Sequence, residues 1–244
     1  KKLQSFSTPI HFSFSIKGDE KTITIPDFNV HSGNNITLNA NANISHPTNE
    51  KLREIDSHIS YFNLKDEEIP NIANIFIPNY EDSLIHHIKD FTYSGHIKYN
   101  STKELLSDGH FKTAIGSAEY DIIYDTDKTL SGIISGDSLH IGKILNDKRL
   151  GIASFNFDVT YNTDSSHTLP TAKASGKIHN IAYNDYTYHN ISIDVQSHST
   201  GMKSTVDIDD ENLKSHANIT YADTPHKDIQ LDLSLDKIHF GNLN

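Results

Sequence analysis

Sixteen histidines in 244 residues are the first side chains to weigh, since imidazole serves both as a metal ligand and as a general base near neutral pH. Their spacing argues against a metal centre. His86 and His87 are adjacent, and no His-x-x-x-His or His-Glu-x-x-His occurs. His11, His58, His96, His110, His179, His189, His198 and His216 fall at polar positions of alternating segments. They read as solvent-facing strand histidines, with no metal and no cofactor. The acidic runs Asp66-Glu67-Glu68 and Asp209-Asp210-Glu211 offer paired carboxylates. A catalytic acid needs an apolar pocket to raise its pKa, and both runs lie in polar connections, so both read as solvated turns. Cysteine is absent, which removes disulfides, thiolate nucleophiles and cysteine zinc sites. There is no Gly-x-Ser-x-Gly elbow, glycine-rich phosphate loop or EF-hand loop. Tyr183, Tyr186 and Tyr188 have the chemistry of a sugar-stacking platform, but flanking a two-residue turn they read as a cross-strand aromatic ladder. No catalytic residue emerges, and the expectation is that the chain is not an enzyme.

The elements that must carry these residues are strands. Hydrophobic residues make up 35% of the chain and its mean hydropathy is −0.51, too little apolar material for strands buried on both faces. Strict alternation recurs instead. Ile10, Phe12, Phe14 and Ile16 alternate with His11, Ser13 and Ser15, and Ile36, Leu38, Ala40, Ala42 and Ile44 alternate with Thr37 and three asparagines. The pattern returns in 91–99, 118–124, 155–161, 172–178, 191–195, 215–221 and 229–235. In a strand, such spacing puts every apolar side chain on one face. Short polar links at 17–20, 32–35, 125–128 and 207–212 are of hairpin type, so neighbouring strands should pair antiparallel. The clearest hairpin runs from Ile178 to Val195 around Asn184-Asp185, with Tyr183 facing Tyr186. The apolar set changes parity after Tyr188, as it would at a bulge or in a strand covered on both faces.

Helix is scarce: about two turns from Pro70 and a second stretch over Tyr80 to Lys89 fit the spacing, and Gly142 to Arg149 suits another turn or two. The chain is expected as one β-rich segment over 1–244, with a subdivision near the helix-prone connection at 66–90. Asp137-Ser138-Leu139-His140-Ile141-Gly142 echoes in Asp236-Lys237-Ile238-His239-Phe240-Gly241, each copy after an alternating strand. No stretch approaches the roughly 20 apolar residues of a membrane helix, so a soluble chain is expected. The formal charge of −11 disfavours nucleic acid as a partner. Basic residues at the start lack an apolar segment behind them, and Asn244 directly follows a patterned strand. The expectation is a fragment of a longer chain.

The run from Ser131 through Gly151 contains Gly136-Asp137-Ser138-Leu139-His140-Ile141-Gly142, and Ser154-Phe155-Asn156-Phe157-Asp158-Val159 follows it. Then come Gly176-Lys177-Ile178, Tyr183-Asn184-Asp185-Tyr186-Thr187-Tyr188-His189-Asn190-Ile191 and Asp207-Ile208-Asp209-Asp210-Glu211-Asn212. These phrases resemble the TamB family, the translocation and assembly module proteins of the AsmA-like group, over about residues 85 to 244. Asp185 departs from the glycine often found at that turn position. The resemblance implies an all-β fold, a long, curved, mainly antiparallel sheet forming a half-pipe (β-taco-like) with an apolar interior and a few short helices. It implies a periplasmic bridge anchored in the inner membrane, with an outer-membrane partner of the BamA-like barrel class. The implied function is phospholipid movement between inner and outer membranes and support of outer-membrane assembly.

The partner this resemblance implies is the acyl chain of a phospholipid. It would lie along a groove lined by Phe12, Phe14, Ile16, Ile36, Leu38, Ile44, Phe155, Phe157, Val159, Ile191, Ile193, Leu231 and Leu233. Two other architectures compete. A β-sandwich module of the cell envelope that recognises glycan or protein would close the same apolar face into a dry core. An outer-membrane barrel would need strands of about 9–11 residues throughout, and several runs here are shorter.

Overall fold

The computed structural model describes residues 8–69, 88–162, 171–223 and 227–242. The expected helical stretches from Pro70 and from Tyr80 lie largely outside the described residues. The chain forms two compact units, Lys1–Asp121 and Ile122–Asn244. Among the described residues the fold is all-β: an open antiparallel sheet of 15 strands with a few short helical turns.

The first unit contains β1 (His11–Phe14), β2 (Lys17–Gly18), β3 (Thr22–Ser32), β4 (Ile36–Ser45), β5 (Glu54–Leu64), β6 (Phe91–Tyr99) and β7 (Leu105–Thr113). The division between units falls inside β8 (Gly116–Tyr124). Hydrogen-bonded order is β1-β3-β4-β5-β6-β7-β8, with β2 on β3. Gly33, at φ +53°, makes the tight link between β3 and β4, where the Asn35 N–H donates to the Ser32 carbonyl at 3.1 Å. Alternation is interrupted twice. Pro26 and Asp27 interrupt β3 against β4, and an extra residue at Ser60 interrupts β5 against both its neighbours. Each bulge carries a three-residue step between apolar side chains, Ile25 to Phe28 and Ile59 to Phe62, without moving either to the other face. Pro26 has no N–H for a ladder, and a bulge is where a strand tolerates that loss. The small core of this unit joins Ile36, Leu64 and Ile69, with Phe62, Ile88 and Phe91 against them, beside a 3-10 turn over Asp66–Glu68.

The second unit contains β9 (Thr129–His140), the short helix α1 (Ile141–Leu145), β10 (Leu150–Asn162), β11 (Thr171–Tyr183), β12 (Tyr186–His198), β13 (Gly201–Asp209), β14 (Leu213–Ala222) and β15 (Asp228–Ile238). Each strand from β9 to β15 pairs antiparallel with its neighbour in sequence. The helix expected over Gly142 to Arg149 is α1, which ends at Asn146 in the left-handed region. The hairpin around Asn184-Asp185 has both residues at positive φ, 47° and 67°, as a type I′ turn requires, and Tyr183 pairs with Tyr186. The parity change has its cause in a bulge. Register between β11 and β12 is unbroken on both sides of the His179–Asn190 position. His179 is, however, an extra residue against β10, and Asn190 turns left-handed at φ +53°. The two strands re-phase together, so Ile178, Ile181, Tyr188 and Ile191 share one face.

The internal echo has a structural counterpart. In β9 an irregularity at Asp137-Ser138 precedes Leu139 and then α1, and in β15 one at Asp236 precedes Ile238 and then a 3-10 turn over Phe240–Asn242.

Candidate functional site

Cα partners in an antiparallel ladder point to the same face, so the register assigns every paired strand residue a side. In the first unit Phe12 opposes Val30 and Val30 opposes Leu38, Phe14 opposes Phe28, and Ile44 opposes Ile23 and Ile55. Phe12, Phe14, Ile36, Leu38 and Ile44 therefore lie on one apolar face. Ile16 follows β1 in the link to β2 and is exposed. In the second unit Phe155 opposes Ile178, and Ile178 opposes Ile191. Phe157 pairs with Gly176 and Val159 with Ala174, Gly176 pairs with Ile193, and Leu231 and Leu233 oppose Ile219 and Ala217. These residues share the apolar face of that unit.

Burial within this set differs. Ile36 and Ile191 are buried, Leu38, Ile44, Phe155, Phe157, Val159 and Ile193 are half-buried, and the strands at the free edges are open. Phe12 and Phe14 on β1 are 61% and 56% exposed, and Leu231 and Leu233 on β15 are 58% and 53% exposed. Apolar residues not singled out from the sequence complete the face: Phe28 and Val30 on β3, Phe62 on β5, Phe111 on β7, Ile134 on β9 and Ile181 on β11. Most sit next to bulges or on strands whose inward positions include Gly and Ser, so alternation could not mark them.

The opposite face is hydrophilic. Asn39, Asn41 and Asn43 oppose Tyr61, His58 and Asp56 there, and Asn156 opposes Ser135 and Lys177. His96 lies between two carboxylates, with Nε2 at 2.8 Å from Asp56 and Nδ1 at 3.6 Å from Asp108. His216 Nδ1 lies 2.6 Å from Asp207. Among the described residues no three His, Asp or Glu side chains converge as metal ligands would. A shallow depression of about 350 Å³ is bordered by His58, Ser94, Asp108, His110 and Glu119, with Gly95, Gly109 and Tyr120.

The reading of both acidic runs as solvated turns needs correction at two positions. Glu68 is buried where its 3-10 turn packs beside the Ile36–Leu64–Ile69 core. Asp210, 1% exposed, is the polar centre of the β13–β14 turn. It accepts the Tyr186 hydroxyl at 2.5 Å, the His189 N–H at 2.9 Å and the Asn212 N–H at 2.8 Å. Burial pushes its pKa up, but these donors outweigh burial and hold it below the ordinary value. Tyr186 thus has a structural role, in which its ring meets Tyr188 edge to face at 4.7 Å and its hydroxyl ties the hairpin tip to the next turn. Nearby, Asp147 accepts two hydrogen bonds from the Arg149 guanidinium, which with the Arg149 N–H brings its pKa down to about 2. That guanidinium sits 5.9 Å from the Tyr183 ring centre.

Each unit thus has one face fitted to apolar matter and one fitted to water. Comparison with protein-family models, with curated proteins and with solved structures finds no match for this chain.

Proposed function

We propose that the apolar face holds the acyl chains of phospholipid, in a non-catalytic segment that conducts lipid between inner and outer membranes and supports outer-membrane assembly. The observation that carries this reading is the gathering of Phe12, Phe14, Leu231 and Leu233 on the apolar faces while they remain more than half exposed. Exposed apolar residues scattered singly are ordinary, whereas a contiguous apolar surface marks something that binds there. Acyl chains suit such a surface because burial of hydrocarbon is non-directional, at about 0.8 kcal/mol per methylene, and needs no dedicated polar partner. The half-pipe form, the periplasmic location, the inner-membrane anchor and the BamA-like barrel partner, engaged through other parts of a longer chain, rest on the TamB resemblance.

Photocrosslinking residues placed at Leu38 and Phe157 are expected to capture phospholipid, and at Asn39 and Asn156, on the opposite face, to capture none. Equal capture at both pairs would sink the assignment. Native mass spectrometry free of any co-purified lipid would favour the envelope binding module instead.

A further inference from the structure

The apolar face of the first unit contains a polar island. Tyr93 on β6, Ser107 on β7 and Tyr120 on β8 bring their hydroxyls together, with Tyr93 to Tyr120 at 2.8 Å and Ser107 to Tyr120 at 3.2 Å. Tyr93 opposes Phe62 and Phe111, and Ser107 opposes Ile97. The island is therefore set among hydrocarbon. Its geometry is built by two glycines. Gly95 and Gly109 are Cα partners, and neither has a positive φ, so neither is needed for its backbone. What they supply is room. A Cβ on Gly95 would overlap the Tyr93 hydroxyl, and one on Gly109 would lie 2.6 Å from the Tyr93 ring and 2.9 Å from the Tyr120 ring. Side chains at these positions would drive the tyrosines apart.

Three hydroxyls carry three protons, and the chain Tyr93–Tyr120–Ser107 contains two hydrogen bonds. The third O–H can turn to the remaining hydroxyl, Ser107 beside Tyr93, or to an acceptor laid on the face. Burial, and next the Tyr120 hydroxyl, push the Tyr93 pKa well above that of an ordinary tyrosine, so its hydroxyl stays protonated at physiological pH. An aliphatic chain offers these hydroxyls no acceptor, whereas a polar oxygen does.

We propose that this hydroxyl cluster is a docking point for the carbonyl oxygen of an acyl chain, ester or free acid, whose hydrocarbon lies on the neighbouring apolar surface. The inference rests on the acyl reading of this face and adds a fixed position along it. A carbonyl supplies an acceptor where the surroundings are otherwise apolar, so the track acquires a place at which the head end of the lipid pauses.

The test uses the full chain and three radiolabelled probes of equal chain length delivered from cyclodextrin: hexadecane, methyl palmitate and palmitate. The wild type is expected to prefer methyl palmitate over hexadecane. In the triple variant Tyr93→Phe/Ser107→Ala/Tyr120→Phe, which removes every hydroxyl of the cluster, that preference should fall roughly two- to tenfold, the equivalent of one hydrogen bond, with hexadecane binding unchanged. If palmitate loses affinity in the variant and methyl palmitate does not, the site takes the free acid; the reverse assigns it to the ester. An unchanged ester and acid preference overturns the hydroxyl site while leaving the acyl surface standing. A wild type that retains no hexadecane overturns the acyl reading and this site with it. An independent reading uses the wild type alone: the stretching band of carbonyl-labelled methyl palmitate should move to lower frequency on binding, and an unmoved band overturns the site.

Discussion

At the scale of single residues, Asp210 stands out because sequence and structure assign it opposite environments. In an acidic run it reads as solvated, yet it is buried and surrounded by donors from Tyr186, His189 and Asn212. Its folded-state pKa is depressed, so it contributes stability that is present above the unfolded value near 3.8 and lost as pH falls through the lower folded value. Asp210→Asn keeps the shape but replaces one acceptor oxygen with a donor. It is expected to cost about 1–3 kcal/mol at pH 7 in urea unfolding, since it leaves buried donors unanswered. The gap to wild type should narrow as pH falls below the folded-state pKa. A variant as stable as wild type at pH 7 would mean that the turn does not depend on the carboxylate. Nothing in the sequence marked this role, because two of the donors come from positions 21 and 24 residues away.

At the scale of elements, legibility follows the bulges. Strands with unbroken alternation, such as β4 with Ile36 to Ile44 and β15 with Ile229 to Leu235, are readable from spacing alone, and so is the face each presents. β3, β5 and β9 are not, since Pro26-Asp27, Ser60 and Asp137-Ser138 insert odd steps into the pattern. β7 and β13 hide for another reason: Ser107, Gly109 and Ser204 occupy inward positions where an apolar residue would be expected. The hydroxyl island is illegible for a related one, because Tyr93 and Tyr120 meet only across an intervening strand and over two glycines. The inserted residues are also testable. Deleting His179 removes the extra residue of β11, which keeps Ile181 on its face and in step with β10 but leaves Asn190 of β12 with no residue opposite it, and so strains the register that closes the Asn184-Asp185 turn. The variant is expected to lose amide-exchange protection around the 183–186 turn, whereas His179→Ala retains it. Retained protection in the deletion would show that the matched extra residues of β11 and β12 are not needed to hold the hairpin.

At the scale of the whole molecule, charge and topology matter most. The formal charge is −11 with neutral histidines, and full protonation of all sixteen would carry it to +5. With the histidines neutral, adsorption in low salt is expected to be weak on vesicles of anionic phospholipid and strong on vesicles carrying a cationic lipid. Sedimentation with the vesicles measures it, and equal adsorption to both would count against charge control. Topology has a kinetic consequence. Among the described residues of each unit a strand pairs only with those adjacent in chain order, apart from the skip over the two-residue β2. Contact order is therefore low for an all-β chain, and the entropy of closing long loops, which slows sandwiches and Greek keys, is largely avoided. Any hairpin is able to nucleate and its neighbours then add one at a time, as in a linear array of repeats. Such a unit should melt by fraying inward from its ends, with β15 opening before β12.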